Sequence, residues 1–67
     1  MIVLVNDQPR ELEAGVNLSQ LIAILGLNDS KGQAFALNNH VIPRSKFDET
    51  KLHEGDRILI IQATQGG

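Results

Sequence analysis

The chain contains no cysteine, no tryptophan and no tyrosine in its 67 residues. Without cysteine there is no disulfide and no thiolate metal site. The only aromatics are Phe35 and Phe47, too few to build a stacking platform for nucleobases. Neither sign of charge dominates, since Lys and Arg total 6 and Asp and Glu total 8, a net charge of −2. That gives no basic footprint for nucleic acid and no polybasic run for a membrane surface. Long hydrophobic runs are missing as well. The opening MIVLV is interrupted by Asn6-Asp7 and has no positive flank ahead of it, so it reads as a strand and not as a signal peptide or membrane span. With no targeting signal and no cysteine, the expected compartment is the cytoplasm.

A chain of this length makes one domain at most. It buries only about 60% of the surface its unfolded form exposes, so its core is small. Small proteins often compensate with disulfides or a structural metal. Here the core has to be economical, one sheet against one helix. The expected division is a folded domain over 1–63 and a flexible Gly-Gly tail over 64–67.

Residues 2–5, IVLV, form a strand run, and NDQP, Asn6 to Pro9, is turn chemistry. RELEA, 10–14, returns as a second strand with Leu12 pointing inward. The period then changes. Leu18, Leu21, Ile22 and Leu25 fall at i, i+3, i+4 and i+7, one face of a helix. Asn17 suits the N-cap and Gln20 stands where a capping box needs it. Gly26 suits the left-handed position just past the helix. Such a short helix is not stable alone and must dock on a sheet. After the loop 27–32, QAFALN (33–38) alternates, with Phe35 and Leu37 on one side and Ala34 and Ala36 on the other, as in a half-buried strand. NNH turns the chain, and VIP (41–43) makes a short strand that Pro43 confines to an edge or an end. Residues 44–52 are irregular, with room for one helical turn. HEGD (53–56) is a turn, and RILIIQA (57–63) is the last strand.

The order ββαβββ predicts an α+β fold: a mixed sheet of four to five strands with one main helix packed on one face. The final strand is expected to lie centrally, beside the first, because IVLV and ILII are the only segments apolar on both faces. One helix covers one face. Val3, Val5, Ile58 and Ile60 are assigned to the helix side, which turns Ile2, Leu4, Leu59 and Ile61 the other way. Two readings are open. The segment 43–52 folds over some of them, or they form an exposed apolar patch of the kind that marks a partner site. Such a patch would adjoin the strand that feeds Gln65, Gly66 and Gly67.

Other chemistry-bearing residues have plain readings. His53, Glu54 and Asp56 are legitimate metal ligands but sit on a tight turn with no second histidine nearby in sequence. His40 with Asn38 and Asn39 fits a hairpin turn better than an amide-histidine site. Ser45 forms no recognisable nucleophile arrangement with His40 or His53. Lys31, Lys46 and Lys51 read as solvated charges. Arg44 and Lys46 fit either surface charge or pairing with acidic groups of a partner.

The last two residues, Gly66 and Gly67, follow directly on the most apolar stretch of the chain. Having no side chains, they act through backbone and a carboxylate. The β-grasp order, the segment ALNNHVIPRSKF (36–47), the EGD turn before the last strand and the Gly-Gly end together resemble the ubiquitin-like sulfur carrier proteins of thiamine biosynthesis, the ThiS family. The resemblance covers the whole chain. Gly-Gly alone is a weak motif. Val41-Ile42-Pro43-Arg44-Ser45 after an Asn-containing turn, followed by an aromatic at 47, is much more specific. Phe47 stands where tryptophan is common in the family, and the position of Gln65 varies there.

The resemblance implies a carrier and co-substrate rather than an enzyme. The Gly67 carboxylate would be adenylated by an E1-like (ThiF-type) enzyme that uses ATP and Mg. Sulfur, from a donor such as a cysteine desulfurase, would turn it into a thiocarboxylate. Thiazole synthase (ThiG-type) would take that sulfur for the thiazole ring. Gly67 and Gly66 would carry the chemistry, while Leu4, Leu59, Ile61 and Gln65 would contact partners. No cofactor or metal is expected on the chain itself. The residue types suit this. A carboxylate is a poor electrophile, and adenylation supplies a leaving group. Glycine at 66 and 67 keeps the tail slim enough to thread into another protein's active site. Three alternatives share the fold. The small subunit of molybdopterin synthase uses the same thiocarboxylate, but it is usually longer and lacks the VIPRS segment. A ubiquitin-like modifier would pass Gly67 to a lysine amine. A plain β-grasp interaction module would work without Gly66 and Gly67.

Overall fold

The computed structural model describes residues 1–27 and 33–62. Strand β1 (Ile2–Val5) turns back into β2 (Gln8–Glu11), helix α1 (Leu18–Ile24) crosses one face, and β3 (Gln33–Leu37) and β4 (His40–Ile42) form a second hairpin. A 3-10 helix (Arg44–Glu49) leads to β5 (Arg57–Gln62). The sheet order is β2-β1-β5-β3-β4. The last strand is central, parallel to β1 and antiparallel to β3, as expected from the two doubly apolar segments.

Both hairpins close on two residues with positive φ, Asn6 (50°) and Asp7 (68°) in the first, Asn38 (49°) and Asn39 (73°) in the second. Tight hairpin turns require that conformation, and Asn and Asp tolerate it because their short polar side chains bond locally. The first turn is therefore shorter than NDQP suggests. Gln8 and Pro9 belong to β2, with Pro9 opposite Leu4. Pro9 is tolerated because β2 is an edge strand, where its missing N–H leaves no ladder bond unmade. Strand β2 ends at Glu11, earlier than expected. Leu12 then turns its side chain into the core, and its amide donates to the Met1 carbonyl at 2.7 Å. At the opposite edge β4 takes in His40 and stops before Pro43.

Helix α1 is two turns long, and its ends are fixed locally. Asn17 Oδ1 accepts from the Gln20 amide at 2.7 Å, and Gln20 Oε1 accepts from the Asn17 amide at 2.9 Å. This reciprocal capping box satisfies two donors that the first turn leaves over. At the other end Gly26 has φ +72°. Its amide donates to the Ala23 carbonyl and the Leu27 amide to the Ile22 carbonyl, a Schellman motif. Leu18, Leu21 and Ile22 are buried against Val3, Phe35 and Ile58 of the sheet, with Leu12, Phe47 and Leu52 completing the core.

The 43–52 segment packs on the helix side. Phe47 meets Phe35 edge to face, with ring centroids 5.4 Å apart, a favoured aromatic geometry. The Leu18 amide donates to the Thr50 carbonyl and the Leu52 amide to the Val16 carbonyl, while Asn17 Nδ2 donates to the Asp48 carbonyl. These bonds tie the segment to the start of α1. It does not fold over the opposite face of the sheet.

Candidate functional site

Strand parity builds the candidate site. In β5, Ile58 is 2% exposed and faces the helix, while its neighbour Leu59 is 50% exposed. Ile61 is 44% exposed on the same side as Leu59. The register aligns Leu59 with Ala36 and Ile61 with Ala34 on β3, and Ala36 with Val41 on β4. On the other side Leu4 of β1 lies level with Arg57. Side chains at paired positions share a face. Ile2, Leu4, Leu59, Ile61 and Val41 therefore form an apolar surface opposite the helix, and no described segment crosses it. Ala36 is buried on this face between the larger Leu59 and Val41. Small side chains on β3 keep the surface low, and a depression of about 200 Å³ opens beside Leu4, Arg57 and Leu59.

Of the residues expected to contact partners, Leu59 and Ile61 lie exposed on this surface, and Leu4 lies half-buried on it. Gln65, and the expected chemical residues Gly66 and Gly67, fall outside the described residues, as do Lys31 and the boundary between a domain ending at 63 and a tail at 64–67. The structure describes the strand that leads to them as far as Gln62, which pairs with Gln33.

Two members of the surface are not obvious from hydropathy. Val41 is exposed on edge strand β4, and the pairing with Ala36 is what places it. Arg57 puts a cation at the rim of the depression. Its parity with Leu59 and Ile61 was the available signal.

The polar candidates have structural work. Glu54 Oε1 accepts from the Ile2 amide at 3.0 Å, at the start of β1. Asp56 takes the His53 amide at 2.7 Å and Asn38 Nδ2 at 3.1 Å, which joins the EGD turn to the β3–β4 turn. His53 Nδ1 lies 3.8 Å from Asp56. Among the described residues, no three His, Asp or Glu side chains are grouped to hold a metal ion. His40 Nδ1 lies 3.1 Å from the Asn38 carbonyl, within its own hairpin. Lys46 pairs with Glu49 at 3.0 Å, both well exposed. Arg44 and Ser45 are exposed on the 3-10 helix. No described helix is long and apolar enough to cross a membrane.

A β-grasp sheet with an uncovered apolar face and a central last strand narrows the family, and comparison with known proteins decides it. The family model of the ThiS family matches residues 3–67. The chain belongs to the ThiS family. It is 33% identical over 67 residues to the sulfur carrier protein ThiS of Escherichia coli (strain K12), covering all of both chains. It superposes on the crystal structure of the thiamine biosynthesis protein ThiS of Geobacter metallireducens with a TM-score of 0.86, at 26% identity and full coverage of both chains. The solution structure of a Geobacter metallireducens thiamine biosynthesis protein gives a TM-score of 0.79 at 26% identity, over all of this chain and 88% of that one. The ThiS fold, a five-stranded mixed sheet with one main helix, thus agrees with the architecture expected from the sequence.

Proposed function

We propose that this chain is the sulfur carrier of thiamine thiazole biosynthesis, working in the cytoplasm as a co-substrate with no catalytic machinery of its own. The observation that carries this reading is the family match, which spans residues 3–67 and so includes Gly66 and Gly67. The Gly67 carboxylate attacks the α-phosphate of ATP on an E1-like adenylating enzyme, and pyrophosphate leaves. The terminal sulfur of a persulfide, such as a cysteine desulfurase makes, then displaces AMP from the acyl carbon to give an acyl disulfide. A thiol attacks the other sulfur, leaving with it as a disulfide and freeing the acyl-bound sulfur. The finished group is a thiocarboxylate, anionic and a good sulfur nucleophile, which thiazole synthase consumes. ATP and magnesium belong to the activating enzyme. Gly66 and Gly67 let the tail pass a narrow channel, and the face around Leu4, Leu59 and Ile61 supplies apolar area for docking. Gln65 stands in sequence between Ile61 and the two glycines.

The test is the intact mass of the chain after incubation with its adenylating enzyme, ATP and a sulfur source. The expected shift is one oxygen replaced by sulfur, localised to Gly67. An unmodified mass, with the same enzyme active on another carrier, overturns the proposal.

A further inference from the structure

Two asparagines bracket the central strand. Each is the first residue of a two-residue hairpin turn, with nearly the same backbone angle (φ 50° for Asn6, 49° for Asn38). Each turns its side-chain oxygen onto a backbone amide of β5. Asn38 Oδ1 accepts from Arg57 at 3.0 Å, at the start of the strand. Asn6 Oδ1 accepts from Ile60 at 2.8 Å, on the half of the strand that leads to the tail.

The positions differ in what else holds the strand. Strand β1 pairs with β5 only through Leu4↔Arg57 and Val5↔Ile58. Beyond that, the Asn6 amide donates to the Ile58 carbonyl at 2.9 Å, and the chain turns away into β2. The Asn6 carboxamide then supplies the next acceptor that a continuing parallel strand would have provided. From Ile60 onward β3 holds β5 on one side, through Ile60↔Phe35, Ile61↔Ala34 and Gln62↔Gln33. On the β1 side the Asn6 side chain makes the last hydrogen bond among the described residues.

We infer that Asn6 is a positioning residue for the sulfur-transfer tail, its carboxamide fixing the line along which β5 leaves the sheet. This rests on the sulfur-carrier function proposed above. With Leu59 and Ile61 docked, the direction of the next few residues decides whether Gly67 reaches the nucleotide of the activating enzyme. Misplacement of reacting atoms by about 1 Å can cost on the order of a hundredfold in rate. Asn38 has nearly the same backbone angle at the far end of the strand, carries a second side-chain bond from Nδ2 to Asp56, and has no such role.

The test compares Asn6→Gly, Asn6→Asp and Asn38→Gly with the unaltered chain in pyrophosphate exchange catalysed by the adenylating enzyme. Glycine keeps the positive φ and removes only the side-chain acceptor, so Asn6→Gly should fold. Asn6→Asp keeps the acceptor oxygen. Expected for Asn6→Gly is a kcat lowered by about ten- to a hundredfold, with KM for the carrier little changed and faster hydrogen exchange at the Ile60 amide. Asn6→Asp should restore kcat. Asn38→Gly removes two side-chain bonds, so it should lower the melting temperature at least as much and leave kcat alone. A raised KM with unchanged kcat would make Asn6 a docking contact, and equal loss in Asn38→Gly would mean general loosening of β5. Unaltered kinetics in Asn6→Gly, unaltered Ile60 exchange, or failure of Asn6→Asp to restore kcat also overturns the inference. If the unaltered chain is not adenylated by an enzyme active on another carrier, the sulfur-carrier reading itself has failed.

Discussion

Ile58 and Leu59 are neighbours in sequence and opposites in environment, so truncating each to alanine measures the two faces of the sheet directly. Ile58 is 2% exposed and packs in the core, whereas Leu59 is 50% exposed. Removing a buried isoleucine side chain to alanine costs about 2–5 kcal/mol, transfer and cavity terms together. Fully burying a leucine is worth about 1.5–3 kcal/mol, so a half-exposed one loses about half that, near 1 kcal/mol. At roughly 0.05–0.15 kcal/mol per residue the whole domain has only about 3–10 kcal/mol to lose. In a domain of this size 1 kcal/mol moves the melting temperature by about 4–8 °C. Leu59→Ala should therefore melt about 4–8 °C lower, and Ile58→Ala at least about 8 °C lower. The chain has no tryptophan or tyrosine, so far-UV circular dichroism in a urea titration is the suitable assay. An unchanged m-value would show that the two variants unfold from comparable states. Equal losses at the two positions would mean that both faces are core and that the sheet offers no exposed apolar face for docking.

Leu59→Glu and Ile61→Glu should each weaken binding to the adenylating enzyme by tenfold or more, about 1.4 kcal/mol, with the fold retained; unchanged affinity in a calorimetric titration would remove this face from the interface. Removing Gly66 and Gly67 should leave the urea midpoint in place and abolish thiocarboxylate formation, and retained sulfur transfer would favour a plain interaction module. Asn17→Ala should cost about 0.5–2 kcal/mol, the usual range for a lost N-cap, and toward its upper end because Asn17 Nδ2 also holds the Asp48 carbonyl. A midpoint shift near zero in the same titration would mean that the capping box contributes nothing to this helix.

What was legible in the sequence depended on the range of the interaction. The Asn17–Gln20 box and the Gly26 stop span three or four residues and can be read from residue type and spacing alone. IVLV and ILII are apolar at every position, so they left two phases open, as a period of two does, and the phase assigned to them, with Val3 and Ile58 on the helix side, agrees with the structure. Pro9 was misplaced because proline beside Asn6-Asp7 looks like more turn. Only the sheet order reveals that β2 is an edge that tolerates it. The side taken by residues 43–52 was open in the sequence, since Phe47 and Leu52 are apolar whichever face they cover. Packing of Phe47 on Phe35 decides it. The Asn6–Ile60 bond joins positions 54 apart, and no local pattern signals such a contact.

The same topology that makes β5 central also explains why this small domain leaves good apolar residues outside. One short helix and one 3-10 segment cover a single face, and the chain has nothing described to cover the other. Under the proposed function, exposure of Leu59 and Ile61 on the strand that runs on toward Gly67 ties recognition to reach. Five residues follow Gln62, and a fully extended chain spans about 3.3–3.6 Å per residue, or at most about 18 Å. If Gly67 is the adenylated residue, an activating enzyme that grips this face holds its nucleotide within about that distance of the end of β5. On that reading, the five residues that follow Gln62 select partners by where their active site lies, and the apolar face selects them by surface. Neither alone would be specific, because apolar patches are common and Gly-Gly ends carry no side chains to recognise.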